Sequence, residues 1–524
     1  MGGVPAPLAI ALLVCLAIVQ PVSAAPVTFR DGVASGDITK HSAVLWTRST
    51  GAGRVTVEVA SDRRFADVVE SGAANARATR AFTVEIEARS LRPGESYYYR
   101  FFGPGGTHSP VGVFETPPAA EENLRFVYSG DSDGTVTPEG TANYRDEIAA
   151  VSRTMRREAA DVFVYLGDTI YSDSGLAAPT KAALLGEYRA KYREVRTIQA
   201  FRRLLASASL VTQWDDHEVR NDYAGNPGTA PFAPAGVTPE EVVAGQQAFR
   251  EYSPIEVGPG GRTYRRLKWG PDLEFFVLDE RSYRSTPLPA LQACFQAETG
   301  QPDVAPTLPQ PVRSSFSNGT GLAYLSSPPP AGCKEAIDDS SRTMLGPEQE
   351  GWLKAGLQTS KATFKVIVNE VPIQELYANP YDRWEGYAAE RRELLTFIRD
   401  GGITGVLFAT TDTHATIANP ACVTTLGSDG TYACDPDTAP WEVVAGPMGT
   451  KHFSDEVNEV VPGAAPLVEG FIQSFLHSPC ALIDEPAAYA LVKLNANQDT
   501  MRIVPKRPGP GRGTALCAPI VIQG

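Results

Sequence analysis

Short stretches rich in β-branched and aromatic residues fill residues 28 to about 117: "SAVLWTR", "RVTVEVAS", "AFTVEIEA", "SYYYRFF" and "VGVFETP". Several alternate apolar and polar positions, and turn signals such as "LRPGES" separate them. This pattern predicts the strands of a small sandwich of the immunoglobulin or fibronectin type. "PPAAEEN", residues 117–123, reads as a linker. Beyond it the period changes. Apolar runs of strand length alternate with helical stretches such as "NYRDEIAAVSRTMRREA" and "LLGEYRAKYREVRTIQAFRRLLAS", which predicts a layered α/β arrangement. Residues 285–345 are rich in Pro, Ser and Gly and read as a long excursion, the kind of segment that forms a lid or a disulfide-pinned loop. It carries the sequon Asn318-Gly319-Thr320, a hypothesis for glycosylation. "AYALVKLNANQDTMRIVPK" predicts a closing hairpin.

The apolar runs of the second region share a way of ending. "RFVYSGDSD" ends near Asp131 and Asp133, "DVFVYLGD" at Asp168, and "LVTQWDDHE" at Asp215, Asp216 and His217. "LEFFVLDER" ends at Asp279, "FKVIVNE" at Asn369 and Glu370, and "TGVLFATTDTH" at Asp412 and His414. In layered α/β folds, sites form beyond the carboxyl ends of strands, so these acids are expected to converge on one rim. Crowded carboxylates repel and take up protons unless cations lie among them. The expected solution is a metal centre with more than one ion. A single strand-end Asp is more often a helix cap or turn former, and Asp279 and Glu370 can be read that way. An Asp279–Arg281 ion pair is the local alternative. Tyr171 alone reads as a core aromatic, and His41, His108, His452 and His477 as surface or structural residues. The functional case rests on the joint pattern, above all "WDDHEVRN" and "TTDTH". Oxygen ligands with some imidazole and no thiolate favour Fe(III), Mn, Mg, Ca or Zn. A phenolate from Tyr171 would suit a hard trivalent ion such as Fe(III).

The chain has 524 residues, more than one compact core holds. Its net charge of -14 argues against a nucleic-acid partner, although cations in the acidic rim could still attract an anionic substrate. The apolar run Leu8 to Val19 is short for a bilayer span, and "VSAAP" offers small residues for cleavage near Ala24 or Ala25. Residues 1–25 therefore read as a secretory signal without a basic n-region, with a retained anchor as the alternative. Of seven cysteines, Cys15 lies in that segment. The other six are an even number in an exported chain, and no CxxC spacing suggests zinc. Pairing sequence neighbours gives Cys294–Cys333, Cys422–Cys434 and Cys480–Cys517.

The motifs taken together resemble the alkaline phosphatase D family of secreted metallophosphoesterases, which also includes a phospholipase D. "GVASGDITKHSAVLWTR", "YLGDTIYSD", "WDDHEVRNDY", "LDERSYR", "DRWEGYAAERRELL" and "TDTHA" follow in the family's order, and the resemblance covers nearly all of the chain after residue 25. It implies a four-layer α/β/β/α metallophosphoesterase sandwich at 124–524, preceded by an all-β domain at 26–117. It implies an iron ion partnered by calcium, or another metal pair. Carried over motif by motif, Asp168 is the bridging carboxylate and Tyr171 the phenolate ligand. Asp412 and His414 are metal ligands, although Thr411 stands where the family has Gly. Asp216 takes the place of a metal-ligating Asn in wider metallophosphoesterases. His217 is the neighbouring histidine that contacts phosphate or leaving group, and Asn221 and Arg281 lie near the substrate.

One departure widens the choice of metal. The family has Ser-Cys after its first α/β strand, with the thiolate on iron, whereas this chain reads Ser129-Gly130-Asp131. Asp131, with or without Asp133, is then the oxygen ligand, and a Mn, Zn, Mg or Ca pair becomes credible beside Fe(III) with Ca. No twin arginine precedes Arg30, which points to the general secretory route. The expected protein is a secreted monomeric phosphoesterase without stable membrane insertion. It would hydrolyse phosphomonoesters or phosphodiesters through a metal-activated hydroxide. A phospholipase D-like diesterase and a non-catalytic relative are the alternatives.

Overall fold

The computed structural model describes residues 2–3, 26–136, 144–174, 183–225 and 237–524. The expected secretory signal, with Cys15, lies outside them apart from residues 2–3. Among the described residues the strands form three sheets. The largest is ordered Thr514–Ala515, Thr500–Arg507, Tyr489–Asn495, Leu124–Ser129, Val162–Leu166, Ser209–Gln213, Val33–Gly36, Ala43–Arg48 and Thr83–Ala88, with Ile520–Gln523 also pairing Thr500–Arg507. The second runs Arg265–Trp269, Leu273–Val277, Phe364–Val368, Val406–Thr410, Trp441–Ala445, Thr416–Pro420 and Cys480–Leu482.

The two large sheets pack face to face. Their inner sides supply one apolar layer, with Phe126, Val164, Leu166 and Val211 opposite Phe275, Val366, Leu407 and Val443. Phe126 meets Phe275 edge to face at 5.4 Å, and the Tyr128 hydroxyl donates to the Val443 carbonyl at 2.8 Å. The outer side of the first sheet is covered by helices Arg145–Arg157, Leu185–Val195, Gln199–Leu205 and Pro239–Tyr252 through Val151, Tyr192, Phe201 and Phe249. The outer side of the second is covered by Gly346–Thr359 and Ala388–Asp400 through Leu353, Leu357, Leu394 and Ile398. The layers are therefore α/β/β/α, with each central strand buried on both faces. That burial is why these strands read as continuous apolar runs rather than alternating ones.

Residues 26–117 serve two sheets. Gly53–Ala60, Val68–Ala76, Ser96–Phe102 and Gly112–Glu115 form a four-stranded antiparallel sheet. Val33–Gly36 instead pairs in parallel with Ser209–Gln213 and carries Ala43–Arg48 and Thr83–Ala88 into the large sheet. The strand Val68–Ala76, "VVESGAANA", has no strong β-signal of its own and is held by its ladder to Gly53–Ala60. The tail forms the expected hairpin, Tyr489–Asn495 against Thr500–Arg507. The 285–345 excursion is short helices rather than open loop, including Gln310–Thr320 and Cys333–Ile337. Cys294–Cys333, Cys422–Cys434 and Cys480–Cys517 are all at bonding distance, the pairing of sequence neighbours.

Candidate metal centre

Parallel pairing fixes where the acids go. Leu124–Ser129, Val162–Leu166 and Ser209–Gln213 run side by side in one direction, so Asp131, Asp168 and Asp215–His217 leave one end together. Val406–Thr410, parallel to Phe364–Val368 in the facing sheet, delivers Asp412 and His414 to the same rim. Ligand atoms of Asp131, Asp168 and His414 lie within 4.8 Å of one another, as do those of Asp168, Asp216 and His217, and those of Asp215, Asp216 and Asp412. Asp216, Asp222 and Asp382 make a fourth such group, so Asp168 occurs in two of them and Asp216 in three. The result is a run of overlapping donor groups, linked through Asp168 and Asp216, each of which could hold a cation.

The backbone is bent to make this cluster. Asp131, Asp168, Asp412 and His414 have φ of 57°, 48°, 63° and 51°. Non-glycine residues rarely hold that region, at a cost of about 1–3 kcal/mol each, and such strain collects at functional sites. Gly167, at φ 88°, could carry no side chain, because a Cβ would lie 2.5 Å from Asp215 Cβ and 2.7 Å from its nitrogen. Glu218 braces the same turn, accepting from the Asp168 and Asp215 N–H groups at 3.0 and 2.8 Å and from Thr169 at 2.6 Å.

Burial and mutual repulsion dominate the electrostatics. Burial raises the carboxyl pKa of Asp131 despite nearby His414, and it raises Asp168 despite nearby His217. Asp412 is pushed up by burial and by Asp215, against the pull of Arg281. The Tyr171 phenol is pushed well above its ordinary value by burial, then by Asp168 and Asp131. Asp131 Oδ2 is buried without a hydrogen-bond partner among the described residues. A dry cluster of carboxylates with an orphaned oxygen is a poor resting arrangement for protein alone and a suitable one for cations. The donor set of carboxylates, imidazole and a phenol fits hard or borderline metal ions.

Each histidine is oriented by a carboxylate. His217 Nδ1 is 2.6 Å from Asp173 Oδ1, and its ring stacks on Tyr171 with centroids 4.1 Å apart. Burial would lower the His217 pKa, but Asp168, Asp216 and Asp173 outweigh it and hold it well above its ordinary value. His414 Nδ1 is 2.9 Å from Glu456 Oε1, and its Nε2 is 2.9 Å from the Tyr171 hydroxyl. The Tyr171 oxygen and His414 Nε2 thus share one corner of the cluster. Asp173 lies in the motif "YLGDTIYSD", and Glu456 in the helix Phe453–Val460, which carries no motif. A carboxylate near a candidate ligand histidine is the signal that applies to both, but 44 and 42 residues separate the partners.

The remaining candidates differ in position. Asn221 is exposed and reaches the site through its backbone N–H, which donates to Asp173 Oδ2 at 3.0 Å. Arg281 is fully buried and forks among carboxylates. It binds Asp215 through Nε, Asp382 Oδ2 at 2.8 Å and Asp412 Oδ1 at 2.9 Å, with Asp216 at 3.7 Å. Arg284 adds a second guanidinium on Asp382. Asp279 is turned away: it accepts from Trp214 Nε1 at 3.0 Å, Thr263 at 2.8 Å and the Ser282 N–H at 2.9 Å. Glu370 pairs with Glu280, each accepting from the other's backbone N–H, at 2.6 and 3.0 Å. Asp133 accepts from Ser174 at 2.6 Å and from the Thr135 N–H.

At the position where the family's Ser-Cys is missing, only Asp131 faces the cluster. A Cβ on Gly130 would lie 2.8 Å from Thr411 Oγ1 and 3.2 and 3.3 Å from the Gly167 and Leu166 carbonyl oxygens. Gly130→Cys is therefore expected to destabilise the chain by about 1–3 kcal/mol, read as a lowered denaturation midpoint. Adding Thr411→Gly removes the nearest obstacle and should restore part of the loss. An unchanged midpoint for Gly130→Cys would show that the strand ends separate more easily than these distances allow.

The family model described as PhoD-like phosphatase matches residues 139–473, and the one described as PhoD-like phosphatase, N-terminal domain, matches residues 17–118. Alkaline phosphatase D of Bacillus subtilis (strain 168) is 29% identical over 429 residues, 75% of this chain. The chain spans 65% of that relative's length. A solved structure of PhoD superposes with a TM-score of 0.68 at 23% identity, covering 94% of this chain and 89% of its own. A purple acid phosphatase from yellow lupin (Lupinus luteus) seeds superposes with a TM-score of 0.51 at 12% identity, covering 94% and 73%.

Proposed function

Because this chain belongs to the PhoD-like phosphatase family, we propose that it is an exported, metal-dependent phosphoric ester hydrolase acting on phosphomonoesters or phosphodiesters. The observation that carries the reading is the buried, overlapping set of donors around Asp168 and Asp216. Asp131, Asp168, Tyr171 and His414 are proposed to hold one ion, and Asp168, Asp216 and Asp412 a second. Ions bound there would neutralise the phosphoryl group and lower the pKa of a water. Their identity is open between an Fe(III)–Ca pair and Mn, Zn, Mg or Ca, since Asp131 brings oxygen where the family brings sulfur.

The protein's own part is orientation and proton handling. Asp173 holds His217 by Nδ1, which leaves Nε2 free to hydrogen-bond a phosphoryl oxygen or to give a proton to the departing alkoxide. Burial raises the Asp173 pKa, but the His217 charge and hydrogen bond and the Asn221 N–H overcome it and keep the carboxyl well below its usual range. The imidazolium is thereby stabilised for proton donation. Arg281 fixes the positions of Asp215, Asp216 and Asp412 rather than meeting substrate. The three cysteine pairs suit an oxidising compartment, which supports export.

A lipid-directed reading is favoured by one feature. An apolar cavity of about 480 Å³, lined by Leu308, Phe316, Leu376, Phe453 and Phe471, also has Glu456 in its wall. Glu456 is the partner of His414, so the cavity borders the candidate metal centre and could take an apolar arm of an ester. A panel of p-nitrophenyl phosphate, bis(p-nitrophenyl) phosphate and phosphatidylcholine, each assayed with and without chelator, tests both readings. Chelator-sensitive hydrolysis of the small esters is expected. Phe316→Asp, at the cavity wall, should depress only the phospholipid rate if the lipid reading holds. Chelator-resistant hydrolysis, or none of any ester by metal-loaded protein, would remove the proposal.

A further inference from the structure

A second, basic site lies at the other end of the strands that carry the candidate metal centre. Two adjoining cavities, of about 350 and 670 Å³, share Arg156, Gln199 and Arg203 as common wall. Arg153 and Arg157 complete the first, and Arg30, Arg63 and Arg202 line the second. No Asp or Glu is among the lining residues of either, although the chain has 61 acidic against 47 basic residues. The local charge is thus the reverse of the global one.

The arrangement follows from helix geometry. Arg153, Arg156 and Arg157 fall at i, i+3 and i+4 near the end of Arg145–Arg157 and project from one exposed face. Gln199–Leu205 packs alongside and presents Arg202 and Arg203. The acids next in sequence are engaged elsewhere. Asp31 pairs with Arg48 at 3.2 Å, Glu158 turns inward to Lys506, and Asp62 accepts the Arg64 and Asp67 N–H groups at 2.8 and 2.9 Å. The helix ends just before Val162–Leu166 begins, whereas Asp168 follows the end of that strand. The two sites therefore occupy opposite rims.

We propose that these joined cavities bind a soluble anion carrying two or more phosphate groups, independently of the metal centre. Concave walls of one sign focus the field and raise the local concentration of counter-charge. Guanidinium forks match phosphate oxygens in pairs. Two concavities meeting at Arg156 and Arg203 fit linked phosphates better than a single one. The recess also suits a chain in solution better than the flat face of a membrane.

The test is fluorescence anisotropy of a short, end-labelled linear polyphosphate with the metal-loaded full chain. Arg156→Glu/Arg203→Glu is expected to weaken binding by about tenfold or more and to flatten its salt dependence, while small-ester hydrolysis is unchanged. Arg54→Glu/Arg77→Glu makes the same net charge change on exposed residues elsewhere and should leave affinity as it was. Equal affinity in the Arg156/Arg203 variant and the unaltered protein would overturn the proposal. So would equal weakening by both pairs, or capture by anionic vesicles without binding of the soluble polyphosphate.

Discussion

Asp168→Asn is expected to reduce ester hydrolysis by about a hundredfold to a thousandfold, the scale of losing a pre-organised electrostatic group in an active site. The substitution changes little else. The amide keeps an oxygen where Oδ1 accepts the His217 N–H at 3.1 Å, and the backbone stays tied to Glu218 at 3.0 Å. What disappears is a negative charge shared by two of the donor groups, so metal content should fall with activity. Burial already raises the carboxyl pKa of Asp168, meaning that its ionised form costs stability when no cation is near. The metal-free variant should thus melt no lower than the metal-free parent. Full activity with a full metal complement would remove Asp168 from the proposed centre. Lost activity with a lower metal-free melting point would instead mark it as structural.

The second large effect concerns stability. Arg281→Leu is expected to cost about 3–5 kcal/mol, the loss that follows when one member of a buried ion network is removed. Burial works against the Arg281 charge, but Asp215, Asp216, Asp382 and Asp412 outweigh it and hold the guanidinium protonated. Without it these carboxylates face one another in a dry pocket, with Asp215 Oδ2 already lacking a partner among the described residues. Arg281→Lys keeps the charge but loses the planar fork, so it should recover only part of the loss. Denaturant titration of the three proteins reads the order directly. A leucine variant as stable as the parent would mean that the carboxylates protonate or bind cations at little cost.

The parts of this account that were legible in the sequence share a cause. A parallel strand buried on both faces must be an apolar run, and a residue placed just after such a run must emerge at its carboxyl end. Those two facts place Asp131, Asp168, Asp216, His217, Asp412 and His414 on one rim from the sequence alone. The partners of these residues were not legible as partners, because nothing local says which residue meets which, even where a quoted motif contains one, as "DRWEGYAAERRELL" contains Asp382. Asp382 and Glu456 come from a short 3-10 turn and a helix, and they reach the site only through packing between elements distant in sequence. The same holds for the first region. Its strands could be read, but not that Val33–Gly36 leaves them to join Ser209–Gln213. Strand pairing is decided by which edge is available, and a single strand does not encode that. Gly130 shows a further limit: the sequence reveals a missing thiol, but only the contact with Thr411 shows that the side chain has no room there.

The most direct test of the metal centre is elemental analysis of the protein purified without added metal, followed by hydrolysis assays before and after exhaustive chelation. At least two metal ions bound to each chain are expected, with loss of hydrolysis on their removal and its return when they are restored. Protein that hydrolyses phosphate esters with no bound metal, or that keeps its activity through chelation, would contradict it.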